Sequence, residues 1–158
     1  MNQETARAWR DWAAHQPATH LVTLATHPTD VPSNIADTEH MIAIGRQDVE
    51  EWYRRVLRKL LGRQFANKPN QPTLIAVPEK AHIHLHWHCL MCLDAAHYDR
   101  LEAQADRLWR RLVPRGDADV RRLARNWRHA RRAKQYVVKS IDDIHADGMI
   151  IMPHHIGN

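Results

Sequence analysis

Glu79-Lys-Ala-His-Ile-His-Leu-His-Trp-His-Cys-Leu-Met-Cys-Leu93 is the stretch from which the fold is best predicted. Histidines stand at alternate positions through its centre, and apolar residues fill the places between and after them. Strict alternation over this length is typical of a β-strand with one buried face. We therefore expect a histidine face of His82, His84, His86 and His88, and an apolar face of Ile83, Leu85, Trp87 and Leu90.

Four imidazoles on one strand face favour a metal site over a packing surface. Neighbours on the same face of a strand lie roughly 7 Å apart, which is close enough for two imidazoles to share a cation. Neutral imidazole is the commonest metal ligand in proteins. The alternative is a solvent-facing polar stripe, but such stripes usually mix threonine, lysine, glutamate and serine.

The composition predicts one domain with a nucleic-acid partner. The 158 residues are enough to bury a core, so residues 1–158 are expected to form a single domain. Lys plus Arg number 23 against 18 for Asp plus Glu, and the net charge of +5 favours a polyanion. Only two cysteines are present, so we expect a reducing, cytoplasmic setting without a disulfide framework. The sequence shows neither a secretory leader nor a membrane-spanning apolar run, so no membrane partner is expected.

Periodicity and turn residues divide the chain into helices and strands. Residues 27–38, with two prolines, are predicted to form a loop. The predicted helices are 4–15, 49–61 with Asp48 at its cap, about 95–112, and 124 to about 141. The predicted strands are 20–26, 73–77, the histidine strand after the connection 78–81, 118–123 and 149–152. This order predicts an α+β fold: a single antiparallel sheet of about five strands, ferredoxin- or RRM-like, with helices packed on its faces and a central histidine hairpin.

Two basic segments are candidates to contact phosphate groups. One lies on the helix 49–61, opposite its apolar stripe, and the other between residues 121 and 134. Each is either a solvated face or a DNA-backbone surface, and position alone leaves both interpretations open. The first comprises Arg54, Arg55, Arg58 and Lys59; the second comprises Arg121, Arg122, Arg125, Arg128, Arg131, Arg132 and Lys134.

Tyr136 and Lys139 form a candidate nucleophile and its neighbouring cation. Residues three apart on a helix share a face. A nearby cation favours the phenolate, and the same ammonium can neutralise a phosphate under attack. This spacing often occurs by chance in structural helices, so its weight comes from the histidine strand and the arginine-rich segment beside it.

Three motifs in this order resemble those of the HUH endonucleases, and in particular the rolling-circle replication initiators called Rep proteins. The first motif is Leu21-Val-Thr-Leu-Ala-Thr26. The second is His86-Trp87-His88, with His84-Leu85-His86 as an alternative register. The third is Tyr136-Val-Val-Lys139, so that the resemblance spans about residues 20–141.

The resemblance implies metal-dependent nicking and rejoining of single-stranded DNA. The family's metal ligands correspond to His86, His88 and Glu79, with His84 in the alternative register. The implied metal is Mn²⁺ or Mg²⁺, although Zn²⁺, Ni²⁺ or Co²⁺ would also suit these donors. Tyr136 would attack the phosphate to give a 5′-phosphotyrosine and a free 3′-OH, and Lys139 would steady the charge.

The resemblance also implies the partners. The substrate would be single-stranded or hairpin origin DNA, and a separate helicase would be needed because no helicase domain is attached. The expected location is a bacterial or archaeal cytoplasm, or the host nucleus for a viral protein. Asp142 and Asp143 are candidates for an outer metal contact. The residues expected to hold the DNA backbone are Arg125, Arg128, Arg132, Arg54 and Arg58.

Three other functions are compatible with these residues. A single-tyrosine transposase of the same superfamily would share the histidine pair and the tyrosine. A structural zinc site would use His84, His86, Cys89 and Cys92, but strand parity places Cys89 on the Trp87 face. A module that binds nucleic acid without catalysis would keep the same fold.

Overall fold

The computed structural model describes residues 3–28, 33–79, 83–123, 127–139 and 148–153. Within these ranges the strands form one antiparallel sheet in the order β4-β1-β3-β2-β5. The predicted α+β class with a five-stranded antiparallel sheet is therefore confirmed. None of the helices in the described ranges is both long and apolar enough to cross a bilayer. The elements are α1 (Gln3–His15), β1 (His20–Ala25), α2 (Ile35–Leu61), β2 (Thr73–Glu79), β3 (His86–Cys92), α3 (Tyr98–Arg110), β4 (Asp117–Arg122), α4 (Trp127–Lys139) and β5 (Ile150–Met152), with short 3₁₀ turns at Phe65–Asn67 and Ala95–His97.

The central strand β3 begins later than the histidine alternation predicts. It starts at His86, and His84 lies in the turn before it; His82 lies outside the described residues. Ile83, which was expected on the buried face, is 56% exposed because it precedes the strand. Leu90 was assigned to the Trp87 face, and this is wrong. Its even position places it on the same face as His86 and His88.

The face of the sheet that carries Trp87 packs against α2 and α3. Trp87, Cys89 and Met91 are fully buried in the larger core cluster, together with side chains of both helices. The N–H group of a buried tryptophan usually finds a partner; Trp87 Nε1 has none among the described residues. Trp52 Nε1 donates to the backbone oxygen of Ala105 over 3.1 Å. This hydrogen bond joins α2 to α3, so Trp52 both fills the core and links the two helices.

Helix α2 begins fourteen residues before the predicted start at Val49. Asn34 is its N-cap, and its side chain accepts a hydrogen bond from the backbone N–H of Asp37. Asp48, predicted as the cap, lies inside the helix. Gly45 lies inside the helix, and a Cβ there would lie 2.8 Å from Trp87 Nε1, so only glycine allows this close packing. The prediction of loop through residue 38 is therefore wrong from Ile35 onward.

The histidine face of the sheet is covered by a smaller apolar cluster. Val137 of α4 and Ala13 of α1 are fully buried in it. Lys134 Nζ also donates to the backbone oxygen of Gln16, which ties α4 to the end of α1. The sheet residues of this cluster are Ile75, Val77 and Leu90, and the partly buried side chains around it include Trp9 and Trp12.

Gly116 lies where the turn before β4 approaches the core. A Cβ at this position would lie 2.5 Å from the backbone oxygen of Ala25 and 2.6 Å from Trp109 Nε1. Trp109 Nε1 donates to that same oxygen over 2.7 Å, so Gly116→Ala pushes directly on the bond. We expect the substitution to lower the free energy of unfolding by about 1–3 kcal/mol, measured by urea denaturation.

The double variant Gly116→Ala/Trp109→Phe tests the cause of this loss. If the new methyl group acts by breaking the indole hydrogen bond, the double variant loses less stability than the two single losses summed. Strict additivity, or a Gly116→Ala protein as stable as the parent, would contradict the assignment.

Candidate active site

Strands β1, β2 and β3 place polar side chains together on the histidine face. Glu79, the last residue of β2, is paired directly with His86. Thr23 of β1 is paired directly with His88. Directly paired residues of antiparallel strands share a face, so these side chains converge beneath α4.

His88 is held between two oxygen atoms. Its Nε2 lies 2.6 Å from Glu79 Oε2, and its Nδ1 lies 3.2 Å from Thr23 Oγ1. An ionised carboxylate only accepts, so Nε2 carries the hydrogen of this bond, while Nδ1 faces the threonine hydroxyl. His88 is 5% exposed, and the two contacts fix its orientation in a largely buried position.

Tyr136 and Lys139 of α4 close the site from above. The ring of Tyr136 lies edge-on to the ring of His88, with centroids 5.2 Å apart. Lys139 Nζ lies 4.1 Å from the centre of the Tyr136 ring and 3.5 Å from Glu79 Oε1. Tyr136 is 44% exposed, so it lies at the rim of the site and is not buried in the core.

Glu79 is held by the ring of His88 and by the ammonium of Lys139. Burial alone would raise its pKa, but the hydrogen bond from His88 and the charges of His88 and Lys139 outweigh burial. The pKa of Glu79 therefore lies below its ordinary value. A carboxylate that stays charged while mostly buried is suited to bind a cation or to orient an imidazole.

The three candidate ligands Glu79, His86 and His88 have the right chemistry for a divalent cation. Two imidazoles and one carboxylate on one sheet face are a common donor set. The His86 ring lies 6.5 Å from the His88 ring, and the His88–Glu79 hydrogen bond occupies the position between two of the donors. Within the described ranges, no three His, Cys, Asp or Glu side chains already surround a common point. Glu79, His86 and His88 are the residues that would hold such a cation.

Sequence reasoning missed His27 and Asp117. His27 Nε2 donates to the Asp117 carboxylate, and His27 Nδ1 faces His84 Nε2. The register that pairs Ala25 with both Asp117 and His86 creates this grouping. His27 stands in a predicted loop and Asp117 just before a predicted strand, so neither carried a local signal.

The structural zinc alternative does not fit the positions of the cysteines. Cys89 is fully buried on the Trp87 face, where burial raises the pKa of its thiol. His86 lies on the other side of the same strand, so Cys89 and the histidines cannot coordinate one ion.

The structure separates the two groups of candidate arginines. Arg132 is exposed on α4, which covers the histidine face; Arg128 also lies in α4. Arg54 and Arg58 lie on α2, which covers the opposite face. Arg54 is paired there with Glu51 at 3.5 Å. Arg125, Asp142 and Asp143 lie outside the described residues.

Comparison of the chain with protein-family models, with curated proteins and with solved structures finds no match. A functional interpretation therefore depends on the motifs and on the geometry of this site.

The Glu79→Gln variant tests the charge at the centre of the site. A carboxylate with a lowered pKa stabilises the fold above its unfolded-state pKa, and this contribution is lost as the pH falls through the folded-state pKa. We expect the parent to be more stable than Glu79→Gln by about 1–2 kcal/mol at pH 7. The difference should shrink below about pH 4.5.

Urea denaturation of both proteins across this pH range provides the measurement. Glu39→Gln, which changes an exposed glutamate of α2, is the matched control and should show a small, nearly constant difference. A Glu79→Gln difference that stays constant or widens in acid would contradict the assignment.

Proposed function

We propose that this chain nicks and rejoins single-stranded DNA through a covalent link to Tyr136. The observation that carries the proposal is the edge-on contact of Tyr136 with His88, 5.2 Å between ring centres, with Lys139 against the phenol ring. A structural tyrosine of this helix would pack inward, as its neighbour Val137 does. Tyr136 instead presents its ring between solvent and a charged cluster.

The reaction is a transesterification at a DNA phosphate. The Tyr136 oxygen attacks phosphorus as its proton leaves, and a bond from phosphorus to Oη forms. The bond from phosphorus to the 3′ oxygen breaks, and that oxygen takes up a proton to become a 3′-OH. The product is a 5′-phosphotyrosine, and attack by a 3′-OH on this link restores the phosphodiester and frees the tyrosine.

Lys139 has two roles in this arrangement. Its ammonium stabilises negative charge on the phenol oxygen as the proton leaves, and it also faces the phosphate that Tyr136 attacks. Glu79 orients the Lys139 ammonium at 3.5 Å and holds the His88 ring at the same time.

Glu79, His88 and His86 would hold a divalent cation, Mn²⁺ or Mg²⁺, which when bound polarises the scissile phosphate and offsets its charge. The buried position of His88 and the charged state of Glu79 suit this role. Thr23 keeps the ring in place from its other nitrogen.

A role in replication determines the partners. The substrate is single-stranded or hairpin origin DNA, and a separate helicase supplies the open strand. The compartment is then wherever that DNA replicates, in a bacterial or archaeal cytoplasm or in the nucleus of a virus-infected cell.

Tyr136→Phe removes the nucleophile and leaves the ring in place. We expect no denaturation-resistant protein–DNA product when the variant is mixed with labelled single-stranded oligonucleotides and Mn²⁺. DNA binding should be retained, because the substitution removes one hydroxyl from a half-exposed ring. Tyr98→Phe, on α3, is the matched control and should still form the product. A covalent product with Tyr136→Phe would show that the nucleophile is another residue.

Substitution of Arg132 or Arg58 tests which face of the sheet binds DNA. If the strand lies along α4, Arg132→Ala weakens binding and reduces the slope of log affinity against log salt by about 0.7, one phosphate contact on a single strand. Arg58→Ala, on α2, should change neither. Fluorescence anisotropy with a labelled oligonucleotide at several salt concentrations measures both. An effect confined to Arg58→Ala would place the strand on the other face.

A further inference from the structure

We propose that His27 and His84 form a second cation site, specific for transition metals and separate from the His88–Glu79 pair. The site does not depend on the proposed nicking activity. The metal ligands are imidazole nitrogens, and the bound ion is Zn²⁺ or a similar transition-metal ion. Asp117 orients one of the two histidines.

Three imidazoles are grouped at this end of the sheet. The rings of His27 and His84 lie 4.5 Å apart between centroids, and the His86 ring lies 5.0 Å from His84 and 6.4 Å from His27. His27 Nδ1 and His84 Nε2 face one another in direct contact. Two nitrogen lone pairs that point at each other need a shared hydrogen or a cation between them.

Asp117 decides which nitrogen of His27 is the donor atom for a metal. The carboxylate can only accept, so His27 Nε2 carries the hydrogen of this pair. Nδ1 then has its lone pair directed at His84. Histidines that bind metals usually donate their other N–H to a carboxylate in this way, which fixes the tautomer and raises the basicity of the ligating nitrogen.

The backbone holds the two histidines at a fixed separation. Thr26, next to His27, donates to the backbone oxygen of Leu85, next to His84, through both its N–H at 3.2 Å and its hydroxyl at 3.0 Å. Asp117 is placed by its direct pairing with Ala25 in the neighbouring strand. The two histidines and Asp117 therefore come from separate segments that hydrogen bonds keep in register.

Binding requires only local movement of side chains. Zn–N bonds are about 2.0–2.1 Å, so tetrahedral coordination needs the two nitrogens to separate to about 3.3 Å. Since no three donors in the described part of the chain already surround a point, water would complete the coordination. His27 and Asp117 side chains are 42% and 46% exposed, which leaves room for this movement.

The donor set predicts the metal. Imidazole alone favours Zn²⁺, Cu²⁺, Ni²⁺ and Co²⁺, whereas Mg²⁺ and Mn²⁺ prefer oxygen donors such as Glu79. The two sites should therefore differ in selectivity, and excess Mg²⁺ should not displace Zn²⁺ from His27 and His84.

Calorimetric titration of the full chain with Zn²⁺ tests the proposal. All proteins carry His154→Ala and His155→Ala, which remove two adjacent histidines near the end of the sequence as chelators. In excess Mg²⁺, we expect His27→Ala and His84→Ala each to weaken Zn²⁺ binding at least about 100-fold, and Asp117→Asn to weaken it about 10- to 100-fold. His40→Ala on α2 is the matched control. Both His40→Ala and His88→Ala should leave Zn²⁺ affinity at this site unchanged. Circular dichroism checks that each variant folds.

A second measurement uses the spectrum of bound Co²⁺. Tetrahedral or five-coordinate Co²⁺ in this site should absorb in the visible region, and the band should disappear in His27→Ala but persist in His88→Ala. Zn²⁺ binding that is unchanged in both His27→Ala and His84→Ala, or lost in His88→Ala alone, overturns the proposal. Formation of the covalent DNA product by Tyr136 in Mn²⁺ should be unaffected by His27→Ala. Zn²⁺ binding therefore tests the second cation site, and the covalent product separately tests the proposed nicking activity.

Discussion

The packing of Val137 onto the histidine face of the sheet is the contact on which the candidate site depends. Val137 is fully buried against Leu90, Val77 and Ile75, which anchors α4 across β2 and β3. Helical geometry then determines the neighbouring residues, because successive positions rotate by about 100°. Tyr136 is left at the edge of the apolar contact beside His88, and Lys139 lies one turn on above Glu79.

Electrostatics explain why this edge of the helix is stable. A mostly buried carboxylate is costly unless hydrogen-bonded or charged partners compensate it. Glu79 has two such partners, a ring nitrogen of His88 on the sheet and the ammonium of Lys139 on the helix. The same contacts that make burial of Glu79 tolerable bring the phenol, the imidazole and the cation together. Stability and the proposed chemistry thus rely on one set of interactions.

The sequence predicted the general arrangement better than its details. Alternation around His86 and His88 was sufficient to predict the central strand. Glu79, predicted in the connection 78–81, instead ends β2 and pairs directly with His86. The first half of α2 was missed because prolines before Asn34 suggested a loop, and the close approach of Trp87 to Gly45 comes from a distant part of the chain. Leu90 was misassigned although parity alone would have corrected it.

The second imidazole group shows what a single sequence cannot supply. His27 and Asp117 are 90 residues apart, and only the pairing of β1 with both β3 and β4 brings them beside His84. Strand register depends on turns and on core packing throughout the sheet, so it is not encoded near either residue. By contrast, Tyr136 and Lys139 share one helix, and their common face follows from local spacing.

Ring-to-ring nuclear Overhauser effects give the most direct test of the central claim, that α4 holds Tyr136 against His88. With three tyrosines in the chain, selective labelling of tyrosine and histidine rings makes the assignment tractable. Packing of α4 on the histidine face predicts cross-peaks between the rings of Tyr136 and His88. The pair His20 and Tyr98, 4.7 Å apart between ring centroids, is an internal reference. Cross-peaks for that pair with none between Tyr136 and His88 would contradict the account.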